Sequence, residues 1–407
     1  MDDVDVIVVG AGPAGNNAAL GLATQGYAVS VIDSREVIGD KLCTGIVGRE
    51  CAQRFPINPD HVYRRPRSAQ LIAPGTETVR FEVATPQACV INRVAYVASF
   101  ADRARAAGAQ YILGQRVHRV NVDGQGVTVV TGQGSHRARA LILSSGFGSP
   151  LIRQIGLGSV TDHVTGVQAV VSTGEIDDVE VHLGHDVAPG FFSWLVPTLP
   201  GQALVGLLAR RQAQTYLAGF IQRLCRLGKI KEIVTEAACW GIPLRPLKRT
   251  HQDRVLVVGD AAGQVKPTTG GGIYYSLMAS EIAAQVLSEA LHEDDLSSSR
   301  LRQYQTQWKS LLAHELEVGY SARRLYEFLS DHQIGSLVRQ AGANGFRQDL
   351  IGSSDVSFDW HSKMIGRVMG NPALGGALRL INPLLAKLAR RPDPDEQNLD
   401  SSPVARH

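Results

Sequence analysis

Apolar residues recur along the chain in two periods. Short runs at 5–9, which is β-branched, 28–32, 139–143 and 255–258 read as strands. The first runs directly into Gly10-Ala11-Gly12-Pro13-Ala14-Gly15 and a helix of small residues over 16–25. The second ends on Asp33. From 49 to 90 the periodicity weakens, with prolines at 56, 59, 66, 74 and 86. Short strands at 71–73 and 79–83 flank a Pro74-Gly75 turn, and strand character returns at 89–93. A helix over 93–107, a strand over 109–113 and a hairpin of 117–122 with 127–131 follow. Alternating runs at 164–171, 179–183, 190–196 and 202–209 predict a set of sheet strands, then a helix over 217–227 and a strand over 237–243. The last third is helical, over 273–291 and again over 296–329. In that second helix Tyr304, Trp308, Leu311, Leu312, Leu316 and Leu325 mark one buried face.

Two glycine-rich turns carry the chemistry. In Gly10–Gly15 the first glycine makes a tight turn, the second lets backbone approach a pyrophosphate, and the third lets helix pack on strand. Asp33 stands where an acid meets a ribose hydroxyl, with Ser34 beside it. Strand, glycines, helix, strand and acid in that order make a dinucleotide-binding signature far stronger than the glycines alone. The stretch 255–279 repeats the logic. Gly259-Asp260 ends a strand, and a loop holding Pro267 leads to Gly270, Gly271 and Gly272 before a helix begins at Ile273. A carboxylate followed by an open helix N-terminus suits a ligand with hydroxyls at one end and an electron-rich ring at the other. By itself that stretch is also compatible with an ordinary strand–turn–helix.

Composition narrows the class without naming it. A chain of 407 residues, 44% hydrophobic and 19% charged, fits two or three folded units. A net charge of +3 gives no general reason to expect nucleic acid. Cys43, Cys51, Cys89, Cys225 and Cys239 are odd in number and scattered. They imply neither a disulfide framework nor a metal or iron–sulfur site, which suits a reducing cytosol. Met1-Asp2-Asp3 has no basic lead-in, so no signal peptide is expected, and no apolar run is long enough for a membrane span.

Taken together, the two turns resemble the FAD-binding fold of flavin hydroxylases and their relatives. A plain NAD domain needs no second nucleotide-contacting segment near 259. The resemblance implies an α/β (α+β) architecture: a Rossmann-like FAD-binding domain (1–60, 88–155, 250–292), an inserted antiparallel-sheet substrate domain (61–87, 156–249), a C-terminal helical region (293–391) and a disordered tail (392–407). It implies that Gly259 and Asp260 approach the ribityl or pyrophosphate part of FAD and that Gly270, Gly271, Gly272 and Ile273 face the flavin pyrimidine ring. Arg93, at a helix start, and Val117 join the expected cofactor contacts. Hydroxylases carry Asp-Gly near 144–149, with an arginine further on that Arg153 matches, but this chain has no aspartate there.

Lys41-Leu42-Cys43 narrows the resemblance to the geranylgeranyl reductase family, whose members carry a cysteine here, often as Lys-x-Cys-Gly; Thr44 replaces the glycine. Members of that family saturate isoprenoid double bonds. Hydride passes from reduced flavin N5 to one alkene carbon, and a proton reaches the other. Cys43 is the candidate proton donor, although most free cysteines are small packing residues. Phe192, Trp194, Val196 and Pro197 match the family's Tyr-x-Trp-x-Phe-Pro substrate wall at Trp194 and Pro197 only. Tyr304, Trp308 and Arg323 resemble its tail.

The expected electron donor is NADPH or a ferredoxin-like carrier, since no second dinucleotide fingerprint is present. The expected substrate is an isoprenoid lipid, pigment or quinone, and no metal is expected. The expected location is the cytoplasm. Lys363 to Arg391, with six basic residues and no acidic one, is a candidate for peripheral membrane contact. A flavin monooxygenase or halogenase, and a non-catalytic flavin- or lipid-binding protein of the membrane surface, stay open. Lys266 has no assigned role.

Overall fold

In the computed structural model, which describes residues 4–41, 43–75, 77–342 and 357–370, the N-terminal apolar run forms the centre of a parallel sheet. Strand β1 (Val4–Val9) leads through helix α1 (Pro13–Thr24) to strand β2 (Val29–Ile32). Strand β3 (Ile46–Gly48), helix α2 (Arg49–Arg54) and strands β4 (Val62–Arg64), β5 (Ser68–Ile72), β6 (Thr78–Glu82) and β7 (Ala88–Ile91) follow. Next come helix α3 (Arg93–Ala106), strands β8 (Gln110–Ile112), β9 (Val117–Val122), β10 (Val127–Thr131) and β11 (Gly134–Leu143), and helix α4 (Leu151–Gln154). The second unit holds β12 (His163–Thr173), β13 (Val179–Leu183), β14 (Phe192–Pro197), β15 (Gln202–Ala209), helix α5 (Ala213–Arg226), β16 (Ile230–Ile233) and β17 (Ala238–Pro243). Strands β18 (His251–Gln252) and β19 (Val255–Val257) return to the first sheet. Helices α6 (Ile273–His292), α7 (Ser298–Glu327), α8 (Asp331–Gly342) and α9 (Ser362–Gly370) complete the described chain.

The first sheet runs β18-β19-β11-β1-β2-β8, with β10 on β11 and β9 on β10. β1 pairs in parallel with both β2 and β11, and β11 pairs in parallel with β19. Helices α1 and α6 cover one face, and β9 and β10 with α4 pack on the other, so the apolar runs are buried on both sides: Val6, Ile7 and Val8 are each 0% exposed. The register brings the C-terminal ends of β1, β2, β11 and β19 to one edge, where both glycine turns emerge. Small residues let α1 lie close on α6: a Cβ on Gly21 would stand 2.9 Å from Ala284 Cβ.

The second sheet runs β16-β12-β15-β14-β13-β5-β6, with β17 beside β12. It is antiparallel except at one seam, where β13 pairs in parallel with β5. A purely antiparallel sheet was expected. β5 and β13 are separated by more than a hundred residues of chain, so no hairpin fixes their relative direction. β4, inside the expected 61–87 stretch, pairs instead with β7 in a small third sheet of β3, β7 and β4.

On α7, Tyr304, Trp308, Leu312 and Leu316 are buried in the first core. Leu311 is 39% exposed, not buried as its apolar character suggested, because a helix turns 100° per residue and its stripe passes through 308 and 312. Of the basic 363–391 segment only its start is described; 371–391 and the expected tail 392–407 lie outside the described residues. In the described part, Ile365, Val368 and Met369 pack inward against Leu325, Leu329 and Ile334. Among the described residues no helix is long and apolar enough to cross a membrane.

Candidate functional site

Both glycine turns open onto one cavity of about 780 Å³. Gly12 and Gly272, the N-caps of α1 and α6, have no side-chain cap, so the amides of the two helix starts are left for a ligand. Gly10, Gly12, Pro13 and Ala14 line the cavity; so do Asp33, Ser34 and Val117 at one end, and Gly259, Asp260, Gly270, Gly272 and Ile273 at the other. Gly15 and Gly271 do not line it. A Cβ on Gly15 would overlap the Gly10 carbonyl oxygen, so Gly15 lets the turn close on itself. Gly10 has φ 109°, a conformation that favours glycine.

Asp33 holds the first turn from beneath. Its Oδ2 accepts the Ala11 N–H at 2.6 Å and its Oδ1 the Arg35 N–H at 2.8 Å, leaving lone pairs for ribose hydroxyls. Ser144, which sequence reasoning missed, donates from Oγ to Val9 O and Gly10 O at 3.0 and 2.8 Å. Asn16, also missed, is fully buried; its amide donates to Ala11 O at 2.9 Å and its Oδ1 accepts from Tyr111 at 3.0 Å. No local signal marks these residues, because Ser144 bonds to backbone more than a hundred residues away and Asn16 depends on Tyr111, 95 residues away.

At the far end of the cavity Lys41 and Asp260, 219 residues apart, form an ion pair of 2.5 Å. Asp260 abuts the start of α6: a Cβ on Gly272 would lie 2.8 Å from Oδ1. Here a carboxylate is favoured by the positive end of the helix. Arg93 is buried rather than a surface charge, and its Nη1 donates to Gly39 O at 2.5 Å and Lys41 O at 2.7 Å. It therefore ties down the loop that carries Lys41 and Cys43, besides lining the cavity. Its Nε is buried without a hydrogen-bond partner among the described residues.

Cys43 lines the cavity, half-buried. Its Sγ accepts the Gly45 N–H at 3.5 Å, and its carbonyl accepts from Gln168 Nε2 of β12 at 3.4 Å. The Lys41 ammonium is engaged with Asp260. Gly45, not residue 44, takes the left-handed conformation, with φ 67°, so Thr44 does not disturb the turn. Cys51 and Cys89 are buried away from the cavity, and burial pushes both thiols up.

The wall from the second sheet differs from the expected one. Ala238, Cys239, Trp240, Gly241 and Ile242 of β17 face the cavity; Phe192, Trp194, Val196 and Pro197 do not line it. Trp194 and Val196 are 5% and 1% exposed and belong to the second core. Trp194 lies over the neighbouring strand, where a Cβ on Gly206 would be 2.5 Å from Cζ2. Gly146 and Gly148 line the cavity, while Arg153 is exposed on α4 and does not. Among the described residues no group of three or more His, Cys, Asp or Glu is arranged to hold a metal.

Helix α7 braces the second turn from behind. Tyr304 donates to Val257 O at 2.9 Å and accepts from Gln264, whose Oε1 takes the Gly259 N–H at 2.8 Å. Trp308 donates to Thr250 at 2.9 Å. Lys266, unassigned from sequence, is buried under the turn, and burial lowers its pKa.

These residues fit FAD. An acid at the end of β2, two uncapped helix starts and a carboxylate before α6 suit the ribose, pyrophosphate, ribityl chain and flavin ring of that cofactor.

Comparison with known proteins agrees. Residues 48–285, more than half of the chain, match the family described as FAD dependent oxidoreductase. The chain is 30% identical over 376 residues to digeranylgeranylglycerophospholipid reductase 1 of Methanopyrus kandleri, covering 88% of this chain and 99% of that one. A geranylgeranyl bacteriochlorophyll reductase-like protein of Thermoplasma acidophilum shares the fold with TM-score 0.80 and 22% identity, over 95% of this chain and 98% of that one. The halogenase PltM shares it less closely, with TM-score 0.66 and 16% identity over 97% and 94% of the two chains. The protein is an FAD-dependent oxidoreductase, and its chain belongs to the geranylgeranyl reductase family.

Proposed function

We propose that the chain saturates carbon–carbon double bonds of a geranylgeranyl-type isoprenoid carried on a lipid, pigment or quinone. The observation that carries this reading is Cys43, whose thiol lines the same cavity as both glycine turns. An isolated alkene is a poor hydride acceptor, so a positioned acid must deliver a proton as hydride arrives. When bound and reduced by the electron donor, the flavin would supply that hydride. Cys43 gives its proton to the other alkene carbon and regains one from solvent, so each bond gains two hydrogens. Gln168 and Arg93 hold the loop that aims the thiol. Asp260, oriented by Lys41, accepts hydroxyls of the cofactor chain. The Ala238–Ile242 wall carries no charged residue and suits a hydrocarbon. The name of the Methanopyrus relative supports a prenyl lipid as the substrate class.

The electron donor is NADPH or a ferredoxin-like carrier. The enzyme works in the cytoplasm and meets its substrate at a membrane surface. Anaerobic incubation with dithionite-reduced flavin and a panel of prenyl lipids, quinones and pigments, read by mass spectrometry, tests the reaction. A gain of two hydrogens per bond is expected. Cys43→Ala should keep FAD bound and lose about 10²–10⁴ in rate; full turnover in that variant sinks the role given to the thiol. Oxygen uptake coupled to NADPH would instead favour a monooxygenase or halogenase, whose fold is shared. Flavin reduction with no turnover across the panel would mark a non-catalytic flavin- or lipid-binding protein.

A further inference from the structure

A buried cation lies beneath the second glycine turn. Lys266 is 5% exposed, and its own backbone closes the turn: its N–H donates to Gly271 O at 3.0 Å and its carbonyl accepts from Gly270 N–H at 2.8 Å. Its side chain doubles back under the turn, so a Cβ on Gly271 would stand 3.0 Å from Cε and 3.7 Å from Nζ. One side of the turn, at Gly270 and Gly272, lines the cavity; Lys266 fills the other.

The ammonium is held by a segment that arrives from far along the chain. Nζ donates to Phe358 O at 2.7 Å and stands 3.9 Å from Asp359 Oδ1. Asp359 is 1% exposed, and its Oδ2 accepts from Glu50 N and Cys51 N at 3.0 and 3.1 Å, capping the start of α2. Trp360 packs on Tyr274 and Tyr275 in the first turn of α6, with ring centroids 5.8 and 5.5 Å apart. The His361 ring bonds to Thr268, and the His361 backbone N–H donates to Glu315 of α7 at 3.0 Å. Burial disfavours both charges, lowering the Lys266 pKa and raising that of Asp359. An unpartnered charge at such a site is costly, so Lys266 and the segment stabilise each other in place.

We infer that Lys266 is a positioning residue of the flavin site and that the 357–361 segment holds it, so that FAD binding at the Gly270–Gly272 turn and docking of this segment are energetically coupled. The inference rests on the flavin-site reading above. Coupling of this kind is reciprocal: FAD steadies the segment, and the segment steadies the FAD-facing turn.

Hydrogen exchange of the full-length chain, stripped of flavin and then supplied with FAD, tests it. FAD should slow exchange of the Asp359, Trp360, His361 and Ser362 amides by about tenfold. Lys266→Met keeps the stem and removes the charge. It should bind FAD about tenfold more weakly, lose the FAD-dependent slowing and hold flavin at a more negative reduction potential, because a nearby cation favours added negative charge. FAD uptake by the wild type with unchanged exchange at 359–362 overturns the coupling alone. Wild-type affinity and potential in Lys266→Met overturn the positioning role. Failure of the wild type to take up FAD overturns the flavin-site reading and the coupling with it. The wild-type exchange comparison needs no variant, and Asp359→Asn carries the same expectation for FAD affinity and exchange, though not for the potential, should Lys266→Met not fold.

Discussion

Gly12 and Gly15 lie in one turn, yet alanine at the two positions should fail in different ways. Gly12 has φ −80° and ψ −175°, extended backbone that any residue adopts. A Cβ there meets no protein atom within 4 Å. Apoprotein of Gly12→Ala should therefore keep its stability to within about 1 kcal/mol, the stiffer unfolded chain offsetting a poorer N-cap. The new methyl projects instead where a pyrophosphate must approach the backbone. Pushing the phosphate away forfeits a charge-assisted N–H bond, about 2–3 kcal/mol, which is a roughly 30- to 150-fold rise in Kd for FAD. Gly15→Ala differs: its Cβ overlaps the Gly10 carbonyl and stands 2.5 Å from Ser144 Oγ. Those neighbours are held by the sheet, so the apoprotein itself should lose about 1–3 kcal/mol. Thermal melts of the two apoproteins, with FAD titrations followed by flavin fluorescence, separate the effects. Gly12→Ala binding FAD within about threefold of wild type, under 1 kcal/mol, would refute the assignment of the turn.

Asp260→Asn should weaken FAD binding about tenfold, because it removes a charged acceptor and leaves Lys41 without its counter-charge; equilibrium dialysis measures this. Arg93→Met frees two loop carbonyls, so denaturant melts should show a loss of about 2–4 kcal/mol. His361 is buried neutral, its pKa pushed down to about 3. A depressed pKa leaves its stabilisation intact above the unfolded value near 6.5, and acid removes it as pH falls towards the folded value. The loss should be roughly 3 kcal/mol between pH 6.5 and 4. Stability from urea melts should fall with pH across that range in the wild type and change less in His361→Gln; an equal pH dependence in the two would refute the assignment.

The fold was legible where local preference and burial agree. Buried β-branched runs, glycine turns and small-residue helices announced the parallel sheet and both helix starts. Phe192–Pro197 misled, because alternating apolar residues mark a strand without saying which layer covers each face. Trp194 settles over Gly206, and β17 supplies the wall instead. The stripe on α7 showed burial, but not that the Tyr304 hydroxyl holds Val257 and, through Gln264, Gly259.

By itself the sequence determined the two glycine turns, the acids Asp33 and Asp260 beside them, and the thiol of Cys43. Those depend on backbone geometry within a few residues, which composition and spacing encode directly. Only the tertiary structure decided how they are held. Lys41 meets Asp260 across 219 residues, Gln168 reaches the Cys43 loop across 125, and Lys266 reaches Phe358 across 92. Such pairs form because each buried polar group must find a partner. Which partner it finds depends on the packing of distant elements, and no local pattern records that.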